Sequence, residues 1–279
     1  MFHTSGHTAF ACQSYRLKGC MRNFRIEYVK ETGSTNDLVL VRAENGEPDG
    51  LVIFADRQNA ARGRQGRNWV TKPGIALSFT VLIRPTSEEI PCLTRFPSLA
   101  SLALVQALEL DYGITSQVKW PNDVLINGHK ISGVLAEINW QGTQPDALAL
   151  GMGINLYKGS APAIEGLIYP ASSLEEQSGL RPRRRQLLER ILIHLNRLRK
   201  CIAEDQYIVL WNKHLAFLNE IALLRNEKGE MEPLRLLGLQ NDAGLTVQDR
   251  AGNKRVLYSG EFSSPSVSSS VPGSSSVSS

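Results

Sequence analysis

Hydrophobic and polar positions along the chain fall into two regimes. Short apolar runs of strand length recur at Phe24 to Val29, Leu51 to Ala55, Ile75 to Ile83, Ser116 to Val118, Val124 to Ile126 and Ala149 to Ile154. Gly, Pro, Asn, Asp or Ser bound most of them, as turns bound strands. Asn127-Gly128, between Val124-Leu125-Ile126 and Lys130-Ile131, is a type I′ hairpin signal. It predicts that the Lys119 and Gly133 segments lie on adjacent antiparallel strands facing one pocket. Two other stretches carry helical patterning. Residues Phe96 to Tyr112 are rich in Ala and Leu and stop at Gly113, which predicts a buried helix. After Pro182, Leu187, Leu188, Ile191, Leu192, Leu195 and Leu198 follow helical spacing, and a second helical segment is expected to begin near Asp205. Ser34-Thr35-Asn36-Asp37 ahead of Leu38 to Val41 reads as a helix N-terminus.

From 221 to 263 short strands return, with turns at Asn241-Asp242-Ala243-Gly244 and Ala251-Gly252-Asn253, the pattern of a small β-barrel. The expected organisation is therefore a flexible extension over 1–23, a main domain over 24–220, the barrel over 221–263 and a disordered Ser-rich tail over 264–279. The extension lacks periodicity, and Met21 is a candidate for the natural start.

Composition narrows the class. A chain of 279 residues with 42% hydrophobic positions can bury one large core and a small one. It contains no apolar run of roughly 18 residues and no apolar stretch in its first twenty, so neither a membrane span nor a signal peptide is expected and the protein reads as cytoplasmic. Four cysteines, Cys12, Cys20, Cys92 and Cys201, are scattered without a Cys-x-x-Cys pair. Neither a zinc site nor a disulfide framework is indicated.

The net charge of +4 is less informative than its clustering. Residues 56–69 place Arg57, Arg62, Arg64 and Arg67 among small residues between two strand-like runs, and they end in Trp69. Gly63 and Gly66 let such a loop wrap closely around a ligand, and guanidinium groups fork onto carboxylates and phosphates. A second polar cluster, Lys119-Trp120-Pro121-Asn122-Asp123, sits between strand-like segments, and Gly151-Met152-Gly153-Ile154-Asn155 ends an apolar run where a backbone or ligand can approach closely. A third feature, Arg181-Pro182-Arg183-Arg184-Arg185, opens the long helix, either as a solvated cap or as a docking patch for an acidic carrier domain or nucleic acid. A Walker loop is absent, and Ala61-x-Gly63-x-x-Gly66 lacks the first glycine of a dinucleotide fingerprint.

The Arg-Gly loop ending in Trp69, Lys119-Trp120-Pro121-Asn122-Asp123, Lys130-Ile131-Ser132-Gly133-Val134-Leu135-Ala136-Glu137 and Gly151-Met152-Gly153-Ile154-Asn155 come in the order and spacing of the biotin protein ligases, which this chain resembles over about 26–263. One departure is Ala61, where the family loop usually begins with Gly. The resemblance implies an α+β fold: a mixed, largely antiparallel sheet with helices packed against it, of the class II aminoacyl-tRNA synthetase-like biotin/lipoate ligase type, plus a small SH3-like β-barrel. It implies that biotin is activated with ATP to biotinyl-5′-AMP, releasing pyrophosphate, and passed to a lysine of a biotin carboxyl carrier protein domain. Mg²⁺ is then expected to shield the phosphates, carried by the nucleotide rather than by protein ligands alone.

By the same resemblance, Ser34, Thr35 and Asn36 with Gln58 meet the ureido ring, whose one acceptor and two donors such groups complement. Arg62, Gly63, Arg64, Lys119 and Gly133 complete the biotin site. Arg64, Arg67, Trp69, Asn122 and Asn155 hold the adenylate, Trp69 over adenine and Asn155 at its edge. Joining a carboxylate to ATP brings two anions together, so Arg64 and Lys119 are expected at the junction, with Asp123 either orienting Lys119 or accepting a proton from the incoming lysine. The loop is expected to order only when an anion binds. The runners-up are a lipoate ligase, against which the missing Gly-Gly-Gly loop argues, and a basic nucleic-acid-binding module. No helix-turn-helix length of sequence precedes the main domain, so sequence-specific DNA binding is not expected; monomer and homodimer both stay open.

Overall fold

The computed structural model describes residues 24–69, 72–162, 170–225 and 230–263, and the backbone of 13–16. Cys12, Cys20, the rest of the extension and the tail over 264–279 lie outside the described residues.

A strand, β1 (Gln13–Arg16), falls inside the segment that lacked periodicity and pairs antiparallel with β2 (Arg25–Thr32). Helix α1 (Thr35–Glu44) then crosses over to β3 (Leu51–Gln58), which lies parallel to β2. After the Arg-Gly loop come β4 (Ala76–Ile83), α2 (Phe96–Tyr112), β5 (Gln117–Lys119), β6 (Asp123–Ile126), β7 (His129–Gln141) and β8 (Gln144–Asn155). These strands make one eight-stranded sheet in the order β1-β2-β3-β4-β8-β7-β6-β5. Every neighbouring pair except β2 and β3 is antiparallel, which is the mixed sheet expected. The Asn127-Gly128 hairpin closes as predicted, with both residues at positive φ (50° and 75°), as a type I′ turn requires. Gly113 adopts the left-handed conformation that ends α2.

The two sheet faces are used differently. One is covered by α2 and by α4 (Arg184–Arg199), which follows the short α3 (Leu174–Ser178). With α5 (Asp205–Lys213), these bury Phe79, Phe96, Leu99, Ile191, Tyr207 and Trp211 in the main core. The predicted apolar stripe of α4, from Leu187 to Leu198, is wholly buried there. The opposite face carries α1 over only part of its area, where Val39 and Ala43 pack on Leu51, Ile53, Leu82, Ala147 and Ala149. Beyond α1 that face is open, and the functional residues gather on it.

The C-terminal unit is a five-stranded antiparallel sheet, β9 (Ile221–Arg225), β10 (Met231–Leu239), β11 (Leu245–Gln248), β12 (Lys254–Leu257) and β13 (Phe262–Ser263), in the order β12-β11-β10-β9-β13. It is tied to the main sheet through Trp120, whose Nε1 donates to the Ala243 carbonyl at 3.0 Å and whose ring meets Phe262 edge to face. Arg95 donates to the Asn241 carbonyl, and one core runs through both units.

Three of the four arginines at the start of α4 are in ion pairs. Arg181 meets Glu175 and stacks on Tyr157, Arg184 meets Asp56 and lies over Phe54, and Arg185 meets Glu189. These contacts fit the solvated cap better than an open docking patch.

Candidate active site

Cross-strand register builds the site. Directly opposed residues of antiparallel strands project to the same face. One row therefore runs Ser78, Gly153, Gly133, Asp123 and Lys119 across β4, β8, β7, β6 and β5, and the next runs Ile53, Thr80, Gly151 and Leu135. Three glycines in these rows leave a hollow, and two side chains fill part of it. A Cβ at Gly153 would stand 2.3 Å from Cε2 of Trp69, and one at Gly151 would stand 2.2 Å from Oδ1 of Asn36. The close approach expected at Gly151-Met152-Gly153 is thus made by the protein's own indole and amide.

Over this floor lies a cavity of about 650 Å³. All fourteen candidates line it: Ser34, Thr35, Asn36, Gln58, Arg62, Gly63, Arg64, Arg67, Trp69, Lys119, Asn122, Asp123, Gly133 and Asn155. One end is neutral and hydrogen-bonding. Ser34 is the N-cap residue of α1, yet its hydroxyl makes no capping bond. The Thr35 N–H is held instead by Gln58 Oε1 at 2.8 Å, and the Thr35 hydroxyl lies 3.0 Å from the same atom. Asn36 is buried, its Nδ2 donating to Glu137 at 2.7 Å. Ser34 and Thr35 are therefore not explained by helix capping alone.

The other end is cationic. Arg64, Arg67, Lys119, Lys130 and Arg225 line it with the carboxylates of Asp123 and Glu261, while Arg62 reaches toward the neutral end, to Glu137, which also holds Asn36. Asp123 sits between two ammonium groups, Lys119 at 3.3 Å and Lys130 at 2.8 Å. Burial pushes its carboxyl up, but Lys130 and Lys119 outweigh burial and hold it below the usual carboxylate range. Burial pushes the Lys119 ammonium down despite the attraction of Asp123, and Lys130 adds to that fall. Arg64 is half-buried, donates to Asn122 Oδ1 at 3.2 Å, and has its pKa lowered mainly by burial. Concentrated, partly desolvated positive charge of this kind attracts an anionic ligand strongly.

The arginine loop is closed rather than open. The Gly63 N–H donates to the Arg67 carbonyl at 2.6 Å and the Trp69 N–H to the Ala61 carbonyl at 3.0 Å, with a short turn at Arg64–Gly66. Arg62 is held by Asp37 and Glu137, and Arg67 by Glu261 of the C-terminal unit. Two of the loop guanidiniums thus meet protein carboxylates, while Arg64, which donates to Asn122, has no carboxylate partner among the ion pairs of the described residues. Ala61 is not among the positive-φ residues, and only Gly66 (φ +71°) in this loop needs the left-handed region, so alanine at 61 fits.

Sequence reasoning missed Lys130, Glu261 and Arg225. Strict alternation from Gly133 places Lys130 on the opposite face. The pairing Val124 with Ser132 but Leu125 with Lys130 leaves Ile131 as an extra residue, and this bulge turns Lys130 toward Asp123. Glu261 and Arg225 reach the cavity only because the C-terminal unit docks beside it.

Trp69 Nε1 and Asn155 Oδ1 are buried without a hydrogen-bond partner, two polar atoms in the cavity wall whose complement a ligand can supply. Among the described residues no group of three or more His, Cys, Asp or Glu gathers to hold a metal. Among the described residues the carboxylates lining the cavity are Asp123 and Glu261, both in ion pairs. No described helix is long and apolar enough to cross a membrane.

Residues 28–155 match the biotin/lipoate A/B protein ligase family. Over 253 residues the chain is 29% identical to the bifunctional ligase/repressor BirA of Bacillus spizizenii, covering 89% of this chain and 76% of that protein. Over 175 residues it is 32% identical to the biotin–[acetyl-CoA-carboxylase] ligase of Mycobacterium tuberculosis, covering 61% of this chain and 62% of that one. Its fold superposes on the biotin protein ligase from Aquifex aeolicus in complex with biotin and ATP, with a TM-score of 0.71 and 29% identity over 85% of this chain and 97% of that chain.

Proposed function

We propose that this chain, whose residues 28–155 match the biotin/lipoate A/B protein ligase family, is an ATP-dependent biotin protein ligase that makes biotinyl-5′-AMP and transfers the biotinyl group to a lysine of a carrier domain. The observation that carries the reading is the polarity of this cavity: a neutral hydrogen-bonding end at Ser34, Thr35, Asn36 and Gln58, and a cationic end at Arg64, Lys119 and Lys130. Biotin has the same polarity, a cyclic urea at one end and a carboxylate at the other.

In the proposed reaction a carboxylate oxygen attacks the α-phosphorus of ATP and pyrophosphate leaves. The acceptor ε-amine then attacks the carbonyl carbon of the mixed anhydride, AMP leaves, and the amine gives up a proton. Two anions meet in the first step, and Lys119, Lys130 and Arg64 lower the repulsion and stabilise charge building on the phosphate. Asp123 keeps both lysines aimed at one point; the two ammonium groups that hold it ionised also make it a weak base, which favours the orienting role over proton acceptance. Arg67, Trp69, Asn122 and Asn155 form the nucleotide side of the cavity, and Arg62 and Gly63 the loop wall beside biotin. Mg²⁺ would arrive with the phosphates, because the carboxylates here are already paired, and would add charge neutralisation.

A lipoyl ring carries no urea, so burying it against the Ser34 and Thr35 hydroxyls would leave their lone pairs unmatched; this supports biotin over lipoate. Arg62 and Arg67 are paired with Asp37, Glu137 and Glu261, which reduces the positive charge the loop offers to a nucleic acid. The proposed protein partner is the biotin carboxyl carrier domain of a carboxylase.

Mass spectrometry of the protein incubated with biotin, ATP and Mg²⁺ is expected to find biotinyl-5′-AMP retained in the site. Finding none, with no biotin-dependent ATP–pyrophosphate exchange, rules the reading out. The depressed Lys119 pKa adds a pH prediction. Its charged form is present on the acid side and lost as pH rises through a value below that of an ordinary lysine, so exchange should fall on the alkaline side earlier than free lysine would dictate. A profile flat up to the ordinary lysine range contradicts the role of a charged Lys119.

A further inference from the structure

Behind the neutral end lies a fully buried hydroxyl on β4, Thr80, and its inference deepens the biotin reading and rests on it. Thr80 Oγ1 lies 2.6 Å from Asn36 Oδ1 and 2.7 Å from Thr35 Oγ1. We propose that Thr80 is a positioning residue that sets the hydrogen-bond polarity of the ring site, making the Thr35 hydroxyl an acceptor toward the ligand and so selecting a ring that presents an N–H there.

Counting protons leads to this assignment. Asn36 Nδ2 donates to the Glu137 carboxylate at 2.7 Å and to the Leu135 carbonyl at 3.3 Å, groups that only accept, so the amide cannot turn over. Its Oδ1 therefore faces Thr80, and it too can only accept. The one Thr80 proton is committed to it. The contact between Thr80 and Thr35 is then a hydrogen bond only when Thr35 supplies the proton. The other acceptor within reach of that proton, Gln58 Oε1 at 3.0 Å, already takes the Thr35 N–H at 2.8 Å. Both acceptors lie in the protein wall, so the Thr35 hydroxyl presents lone pairs to the cavity. The seat of Asn36 exists only because residue 151 is glycine, a Cβ there lying 2.2 Å from its Oδ1. At the far end Glu137 also holds Arg62, which connects the ring end to the loop.

The test is ATP–pyrophosphate exchange with biotin and with the two carbamate analogues in which oxygen replaces one ureido N–H. The wild-type protein should prefer biotin over one carbamate by about tenfold or more in kcat/KM, because lone pairs would face lone pairs. Thr80→Val keeps the β-branched shape and removes the hydroxyl. It should raise the biotin KM about tenfold, shrink the preference over that carbamate, and leave the ATP KM unchanged, while Thr80→Ser restores both values. Unchanged biotin KM and preference in a folded Thr80→Val overturns the proposal, as does an equal loss toward biotin and ATP, or a Thr80→Ser that behaves like Thr80→Val. Should Thr80→Val not fold, the wild-type comparison decides, since equal use of biotin and both carbamates overturns the polarity assigned to Thr35. Absence of any biotin-dependent exchange in the wild type would sink the ligase reading first, and this inference with it.

Discussion

Lys119→Ala is expected to lower the rate of biotin-dependent ATP–pyrophosphate exchange by about 10² to 10³, the usual loss when one preorganised electrostatic contact to a transition state is removed. The fold should survive. Asp123 keeps Lys130 at 2.8 Å, so no buried carboxylate is stranded, and the cost of burying the Lys119 ammonium disappears with it. Thermal unfolding should therefore shift little while exchange collapses, and the loss should appear in kcat rather than in the biotin KM alone. Lys130→Ala offers the complementary case. It removes the shorter of the two partners of Asp123 and should impair exchange as well. Because the lysines share one carboxylate, the double variant should lose less than the product of the single losses. Near-wild-type exchange in Lys119→Ala, with the protein folded, would reject the role assigned to it.

Gly153→Ala is expected to weaken nucleotide and biotin binding by about 10- to 100-fold, equivalent to the roughly 1–3 kcal/mol that overpacking usually costs. The added methyl would lie 2.3 to 2.6 Å from Cε2, Nε1 and Cζ2 of Trp69, and an indole is a rigid plate that cannot give way by bending. Trp69 must leave its seat on β8. Its N–H bond to the Ala61 carbonyl closes the arginine loop, so displacement disturbs the loop carrying Arg64. Gly133→Ala should be milder, because its methyl would meet Trp69 at 3.2 Å. Calorimetric titration with biotin and with a non-hydrolysable ATP analogue, alongside near-UV circular dichroism of the tryptophan band, separates lost binding from lost fold. Wild-type affinity in Gly153→Ala would show that the indole does not depend on this seat.

Both variants bear on why some of the site could be read from the chain and some could not. Thr35, Asn36, Arg64, Lys119 and Asp123 belong to short runs whose residue types announce their chemistry, and all five line the cavity. Lys130 belongs to such a run too, but period-two alternation assigns it to the wrong face, and only the bulge at Ile131 corrects this. Thr80 lies in an apolar strand, where a lone threonine is ordinary. Its importance depends on Asn36 and Thr35 arriving from α1, which no local pattern encodes.

The sequence by itself determined the elements and the chemical inventory. Strand-length runs, the Asn127-Gly128 turn, the Gly113 stop and the leucine stripe of α4 are properties of neighbours along the chain, set by backbone sterics and hydrophobic period. The family likeness belongs to this level as well, because its motifs are contiguous. Tertiary structure alone decided which charges face one another. Asp123 meets Lys130 through cross-strand register, Arg67 meets Glu261 through docking of the C-terminal unit, and the three glycine positions become a hollow only when β7 and β8 lie side by side. Electrostatic and steric interactions act over a few ångströms of space, whatever the separation in sequence, so pairing, pKa direction and cavity shape appear only once the sheet is assembled.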